Sequence, residues 1–427
     1  MPDAFTKSTV EENSQKSYQQ QGDIAFKEGS LAVAASLYSR ALEANPQDSW
    51  AEYSLAEVYR CQGDLVRATH HYTQSLKLDP FSRSPFIQLL FTKVSPQQLD
   101  PIVNFYRQLS TAKPRNPWDS VRLGDLLTKQ RKLQGAIASY KSASYKLLQN
   151  NSPDYVSRYW DNAASDDIAL SEPTYIIIGP MKTATSALYE YINQHPKVLP
   201  SIKKEIHFFN DASKLSYGKD WYLSHFPPIS PSSGYITGEA SPGYIVNNVH
   251  NTVFSLFPKV KIIALVREPT ARAFSHYTHN CKHGFERRSF ADAITAELTV
   301  LDRLQKGTSL DIIAKTWSWD KYPGYVLLGL YVHFLQQWYT AFPNDQILVV
   351  NNQTLLDQPA ITMQQVFQFL QLGEHSEPSY PKHNTSNYTP ATKLDTPTEG
   401  RLKEFFRPYE HRLQEFLHGT EKLYLDV

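Results

Sequence analysis

A 34-residue period governs the first third of the chain. Gly29, Ala34, Tyr38, Leu42 and Pro46 recur as Gly63, Ala68, Tyr72, Leu76 and Pro80. One further step from Pro80 reaches Pro114, two steps from Ala68 and Tyr72 reach Ala136 and Tyr140, and three steps from Gly22 reach Gly124. The register defines four units, 15–48, 49–82, 83–116 and 117–150, the third keeping mainly its terminal proline. A fixed period of this size means supersecondary units that bury a core only by stacking on their neighbours. Small Gly and Ala let two antiparallel helices approach, Tyr and Leu fill the gap between them, and Pro closes each unit because it cannot continue a helix.

This pattern resembles the tetratricopeptide repeat. The resemblance implies a superhelix with a concave groove, and so a protein or peptide partner; a rigid spacer or an oligomerisation surface is the other reading. The whole chain has 427 residues, enough for a second core. Its net charge of +1 gives no global field toward nucleic acid or lipid, so anion binding must come from a local cluster. Cys61 and Cys281 fall in different parts of the chain, which argues against a disulfide framework and for a reducing compartment, with buried inert thiols as the default. No basic segment followed by an apolar one opens the chain, and no apolar run is long enough to span a bilayer. The expectation is a soluble cytoplasmic protein without a membrane span or nucleic-acid partner. The domain plan is an array over 15–150, a polar but aromatic-rich packed connector over 151–171, and a second domain over 172–427.

In the second domain short apolar runs alternate with helical stretches. The expected strands are 175–178, 198–199, 235–239, 261–266 and 346–351. The expected helices are 185–194, 248–257, 269–282, 290–306, 329–341, 359–370 and 398–419. This alternation predicts a doubly wound parallel sheet, whose ligands bind beyond the carboxyl ends of the strands. Tyr175-Ile-Ile-Ile-Gly-Pro-Met-Lys-Thr-Ala-Thr-Ser-Ala-Leu188 reads as a strand, a tight turn and a helix start. That is an anion site, where free amides, a helix dipole and the Lys182 cation converge. Arg267 follows the 261–266 run, so two cations at neighbouring strand ends can grip one polyanion. The loop is not a Walker A motif: Met181 stands where that motif needs glycine, and no Walker B acid follows Val266. Metal-free transfer of an already activated group fits this better than kinase chemistry.

Three segments carry a second resemblance. Gly179-Pro-Met-Lys-Thr-Ala-Thr-Ser-Ala-Leu188 looks like the 5′-phosphosulfate loop of sulfotransferases that use 3′-phosphoadenosine 5′-phosphosulfate (PAPS). Lys204-Glu-Ile-His-Phe-Phe209 is similar to that family's acidic-x-His-Phe-Phe segment, and Arg267-Glu-Pro-Thr-Ala-Arg-Ala-Phe-Ser-His-Tyr277 to its 3′-phosphate motif. The heparan sulfate sulfotransferases and their bacterial relatives resemble the chain best. The fold then implied is α plus α/β, a helical array followed by a P-loop-like domain with a central parallel sheet. PAPS is the implied donor and no metal is expected. Lys182 is the candidate cation on the leaving phosphate, with Thr183, Ala184, Thr185 and Ser186 as donors to the 5′-phosphate. Glu205 is the candidate general base, and His207 would orient it or the acceptor. Arg267 and Ser275 would bind the 3′-phosphate, and Tyr331, in Gly329-Leu330-Tyr331, would support the nucleotide or pack in the core. Arg272 and His276 read more readily as surface or packing residues. Lys382–Pro390 sits where the family folds a loop over the donor. Ala240 stands where the family often has lysine, so acceptor contacts need not carry over. The acceptor, a hydroxyl or amine on a glycan, lipid, metabolite or protein, is not specified. Two alternatives are a protein-binding scaffold with a nucleotide-binding pseudoenzyme, and a P-loop phosphotransferase.

Overall fold

The structure, a computed structural model, describes residues 17–112, 115–160, 170–230, 233–246, 248–305, 307–319, 321–375, 380–381, 394–418 and 423–425. Pro114 and the Lys382–Pro390 segment lie outside them. The chain divides into two compact units, Met1–Asn150 and Asn151–Val427.

The first unit is helical: α1 (17–27), α2 (Leu31–Ala44), α3 (Ser49–Cys61), α4 (Leu65–Leu78), α5 (Arg83–Phe91), α6 (Asp100–Ala112), α7 (Pro117–Lys129) and α8 (Leu133–Asn151). Side chains cap the starts: Asp48 accepts from the amides of Trp50 and Ala51, Asp64 from that of Arg67, and Asn116 from that of Trp118. The turns inside units one, two and four place Gly29, Gly63 and Arg131, spaced by the same period, at φ 77°, 80° and 61°. Tyr38, Tyr72, Tyr106 and Tyr140 form a buried column. Three of their hydroxyls donate to a carboxylate fifteen residues earlier, on Asp23, Glu57 and Asp125. The third unit keeps its tyrosine, more than its degenerate sequence promised. Phe91 occupies the acid's place there, so Tyr106 donates to the Pro80 carbonyl at 2.8 Å instead. That unit's first helix is also short, and a 3-10 turn over Pro96–Leu99 intervenes before α6.

Close packing explains Gly22 and Gly124, whereas Gly29 and Gly63 have open space around them and serve the left-handed backbone of their turns rather than helix approach. A Cβ added at Gly124 would lie 2.3 Å from the Tyr140 ring, and one at Gly22 2.7 Å from Tyr38. Gly124→Ala is therefore expected to destabilise the array. Overpacking costs about 1–3 kcal/mol, more than the roughly 1 kcal/mol that alanine gains in helix propensity. A lowered thermal midpoint by circular dichroism is the expected readout; an unchanged midpoint contradicts it. Neither cysteine forms a disulfide, and Cys61 is exposed at the end of α3 rather than buried, because the last turn of that helix faces solvent.

The second unit holds a five-stranded sheet, entirely parallel, in the order β2-β1-β3-β4-β5. The strands are β1 (Tyr175–Ile178), β2 (Gly238–Ala240), β3 (Lys261–Val266), β4 (Ile347–Asn351) and β5 (Leu423–Leu425). β1 is buried throughout and β3 from Ile262 to Val266, an apolar run that fits a sheet covered on both faces. The expected strand at 198–199 is reduced to a single bridge between Val198 and Ile236, and the expected 235–239 strand shifts to Gly238–Ala240. β5 was not expected. The expected helices run Thr185–Ile192, His250–Leu256, Pro269–Lys282, Phe290–Gln305, Tyr331–Ala341, Pro359–Phe369 and Thr396–His418, within two residues of expectation at every described end, while the short helices Ala212–Leu215, Lys219–Leu223, Leu310–Lys315 and Asn352–Asp357 were not expected. Connector residues 153–160 are helical, and the Tyr155 hydroxyl donates to the Pro228 carbonyl at 2.7 Å. Among the described residues no helix is long and apolar enough to cross a membrane.

Candidate functional site

β1 lies between β2 and β3, so the chain leaves the carboxyl end of β1 toward one neighbour and that of β3 toward the other. This is the switch point of the sheet, where such folds open a crevice. The turn from β1 into the Thr185–Ile192 helix fills it. Gly179 begins the turn at φ 147°, and a Cβ there would meet the Leu265 carbonyl oxygen at 2.9 Å. Lys182 and Ala184 then both adopt left-handed backbone, at φ 76° and 75°. Two such non-glycine residues in one loop are costly and persist only where the surroundings enforce them.

The enforcement is visible bond by bond. The Thr183 hydroxyl donates to the Pro180 carbonyl at 2.8 Å, and Arg272 Nη1 to that of Met181 at 3.3 Å. Arg267 Nη1 donates to the Lys182 carbonyl at 2.9 Å, and Asn352 Nδ2 to that of Thr183 at 3.2 Å. Four successive carbonyls are thus tied back by groups from the loop itself, from the β3 end and the helix after it, and from the β4 end. A trans peptide carries C=O and N–H on opposite edges, so each tether turns the following amide away from it. Amides presented this way at a helix N-terminus form an anion-binding concavity.

The electrostatics agree with that geometry. Burial pushes the Lys182 ammonium below its usual range, and the positive charges of Arg267 and Lys282 push it the same way. Burial likewise lowers Arg267, partly offset by Tyr331 and Glu268. A half-buried cluster of like charge is poised for a polyanion. Lys182 and Arg267 meet at one loop, as the strand-end argument requires. Tyr331 is buried against the two arginines, and burial raises its phenol to about 12. Ser275 stands partly exposed on the helix that β3 feeds. Arg272 and His276 are buried, so the surface reading fails for both: Arg272 holds the loop, and His276 packs edge-on against Tyr325.

Glu205 and His207 lie in an irregular segment, not a strand, with His207 at φ 56°; their side chains nevertheless meet, Nε2 to Oε2, at 3.3 Å. Lys204 Nζ lies 2.6 Å from the other Glu205 oxygen and also donates to Ser186 Oγ in the loop helix. Burial alone would raise the Glu205 carboxyl, but the His207 and Lys204 contacts outweigh it and hold the group at about 2. It is an ionised carboxylate across the physiological range.

The pattern missed the residue that anchors this segment. Glu239 on β2 is fully buried and accepts from Tyr222 Oη at 2.7 Å, Tyr244 Oη at 3.0 Å, Ser241 Oγ at 2.5 Å and the Ile206 amide at 3.3 Å. Ser241 Oγ and Tyr244 Oη in turn accept from the amides of His207 and Phe208. Asn352, also missed, is buried. Among the described residues no group of His, Cys, Asp or Glu is placed to hold a metal ion.

The site joins a parallel sheet, a loop that presents amides at a helix N-terminus, cations at adjacent strand ends and an ionised carboxylate. The Sulfotransferase domain family matches residues 172–399, more than half of the chain, and the chain belongs to that family. It is 29% identical over 234 residues to the human bifunctional heparan sulfate N-deacetylase/N-sulfotransferase 2, covering 51% of this chain and 25% of that protein. It is 32% identical over 217 residues to human heparan sulfate glucosamine 3-O-sulfotransferase 5, covering 49% and 58%. The chain thus spans between a quarter and somewhat over half the length of these curated relatives. Among solved structures, a sulfotransferase from Alicyclobacillus acidocaldarius superposes with a TM-score of 0.45 at 24% identity, covering 58% of this chain and 96% of that one.

Proposed function

We propose that the enzyme transfers the sulfuryl group of PAPS to a hydroxyl or amine. The observation that supports this reading is the bond from Arg267 Nη1 to the Lys182 carbonyl, which joins the cation at the end of β3 to the loop that carries Lys182. The amides of Thr183, Ala184, Thr185 and Ser186 and the hydroxyls of Thr185 and Ser186 hold the 5′-phosphate, and Lys182 neutralises the leaving oxygen. Arg267 and Ser275 take the 3′-phosphate, and Tyr331 backs the two arginines. In the reaction the acceptor lone pair forms a bond to sulfur. The bond from sulfur to the bridging oxygen breaks, its electron pair stays on the phosphate, and the acceptor proton passes to Glu205, oriented by His207. The names of the two human relatives make glucosamine-bearing glycans the first acceptors to try. The helical array, read as tetratricopeptide-like, docks a protein partner or carrier.

Calorimetry tests the donor assignment. 3′-Phosphoadenosine 5′-phosphate (PAP) should bind far more tightly than ATP without magnesium, and equal affinity would reject the reading in favour of a phosphotransferase. Arg267→Ala should weaken PAP binding about 10–100-fold, the scale of a lost charge-assisted arginine–phosphate pair. Undiminished affinity would remove Arg267 from the site.

A further inference from the structure

Lys204 touches both halves of the site. Its ammonium donates to Ser186 Oγ in the first turn of the loop helix and lies 2.6 Å from Glu205 Oε1. Its backbone is pinned as well: the Ala240 amide at the end of β2 donates to the Lys204 carbonyl at 3.0 Å. An ammonium carries three N–H donors, and these contacts occupy two of them. A cation beside a helix N-terminus is opposed by the dipole, so an anion lodged between the two would be stabilised by both.

We propose that Lys204 is a further catalytic residue that binds the sulfuryl group itself, its third donor reaching a sulfuryl oxygen while Lys182 serves the phosphate. This rests on the donor reading above. Charge redistributes over sulfur and its oxygens as the bond to phosphate breaks, and a fixed ammonium there acts on the transition state while keeping Glu205 aimed at the acceptor. The side chain joins donor loop and base, and its Ser186 contact is shared by PAP and PAPS, so the loss for PAPS in excess of that for PAP reports the sulfuryl contact.

That excess is the test. PAP and PAPS are titrated by calorimetry into the intact chain and its Lys204→Met and Lys204→Arg variants. The expected result is that Lys204→Met weakens PAPS about tenfold more than PAP, while Lys204→Arg keeps most of the preference for PAPS. Measurable PAP binding also certifies that the variant is folded. If Lys204→Met weakens both ligands equally, or neither, Lys204 does not touch the sulfuryl group and the assignment is overturned, although the donor reading stands. If the unmodified chain binds neither ligand, the donor reading and the assignment fall together.

Discussion

Lys182→Ala is expected to lower turnover about 100- to 1,000-fold, the scale seen when one preorganised charge stabiliser is removed from a transition state. The loss should fall mainly on kcat. The loop amides and Arg267 still hold the nucleotide, whereas the charge on the departing phosphate oxygen appears only as the sulfur bond breaks. The structure makes this a demanding prediction, because Lys182 is held at φ 76° with its carbonyl bonded to Arg267, so its side chain leaves from an enforced position. Alanine accepts that backbone no worse than lysine does, which makes the variant a removal of charge rather than of structure. Single-turnover transfer from radiolabelled PAPS to desulfated heparin, with PAP affinity measured alongside, separates the two. Transfer at the unmodified rate would strip Lys182 of its role.

The cations were legible because each is local. An apolar run of strand length followed at once by a basic residue marks a strand end, and in a parallel sheet strand ends share one side. The groups that shape the loop were not legible. Asn352 follows β4 next to Asn351, which caps the following helix through the Gln353 amide, and nothing local signals that the Asn352 side chain reaches Thr183, 169 positions earlier. Arg272 looked like a surface residue because a charge on an amphipathic helix usually is one, and only the pairing of β1 with β3 brings its guanidinium under the loop. Glu239 was hidden for the same reason: its partners come from segments spread between residues 206 and 244. In the array the tyrosine column was periodic and readable, while the failure of the third unit is explained only by Phe91 standing where its neighbours carry an acid. β5, three residues on the sheet edge, is too short to carry a period.

Arg272→Ala should be the most damaging single change in the second unit, and its cost comes from what it leaves behind. The guanidinium is fully buried, donating to the Met181 carbonyl and, through Nη2, to those of Gly324 and Tyr325. Glu297, also fully buried, accepts from the amides of Gly324, Tyr325 and Val326 at 2.7, 2.8 and 2.7 Å. One turn is therefore gripped from both sides, carbonyls by the cation and amides by the anion. Burial pushes the Glu297 carboxyl upward, opposed by those amides and by the charge of Arg272. Removing Arg272 leaves three buried carbonyls without their donor and takes a neighbouring positive charge from Glu297, which keeps its three amides; at about 1–3 kcal/mol for each stranded group the loss is about 3 kcal/mol or more. At about 2–4 °C per kcal/mol for a domain of this size, the melting midpoint should fall by roughly 10 °C. Lysine should not rescue it, since one ammonium cannot span carbonyls that a planar fork reaches. The double variant Arg272→Met with Glu297→Gln should recover part of the loss, because no buried charge is then left unpaired. Additive losses in that cycle would show that the two groups do not act through the shared turn, and that Arg272 supports the phosphate loop by packing alone.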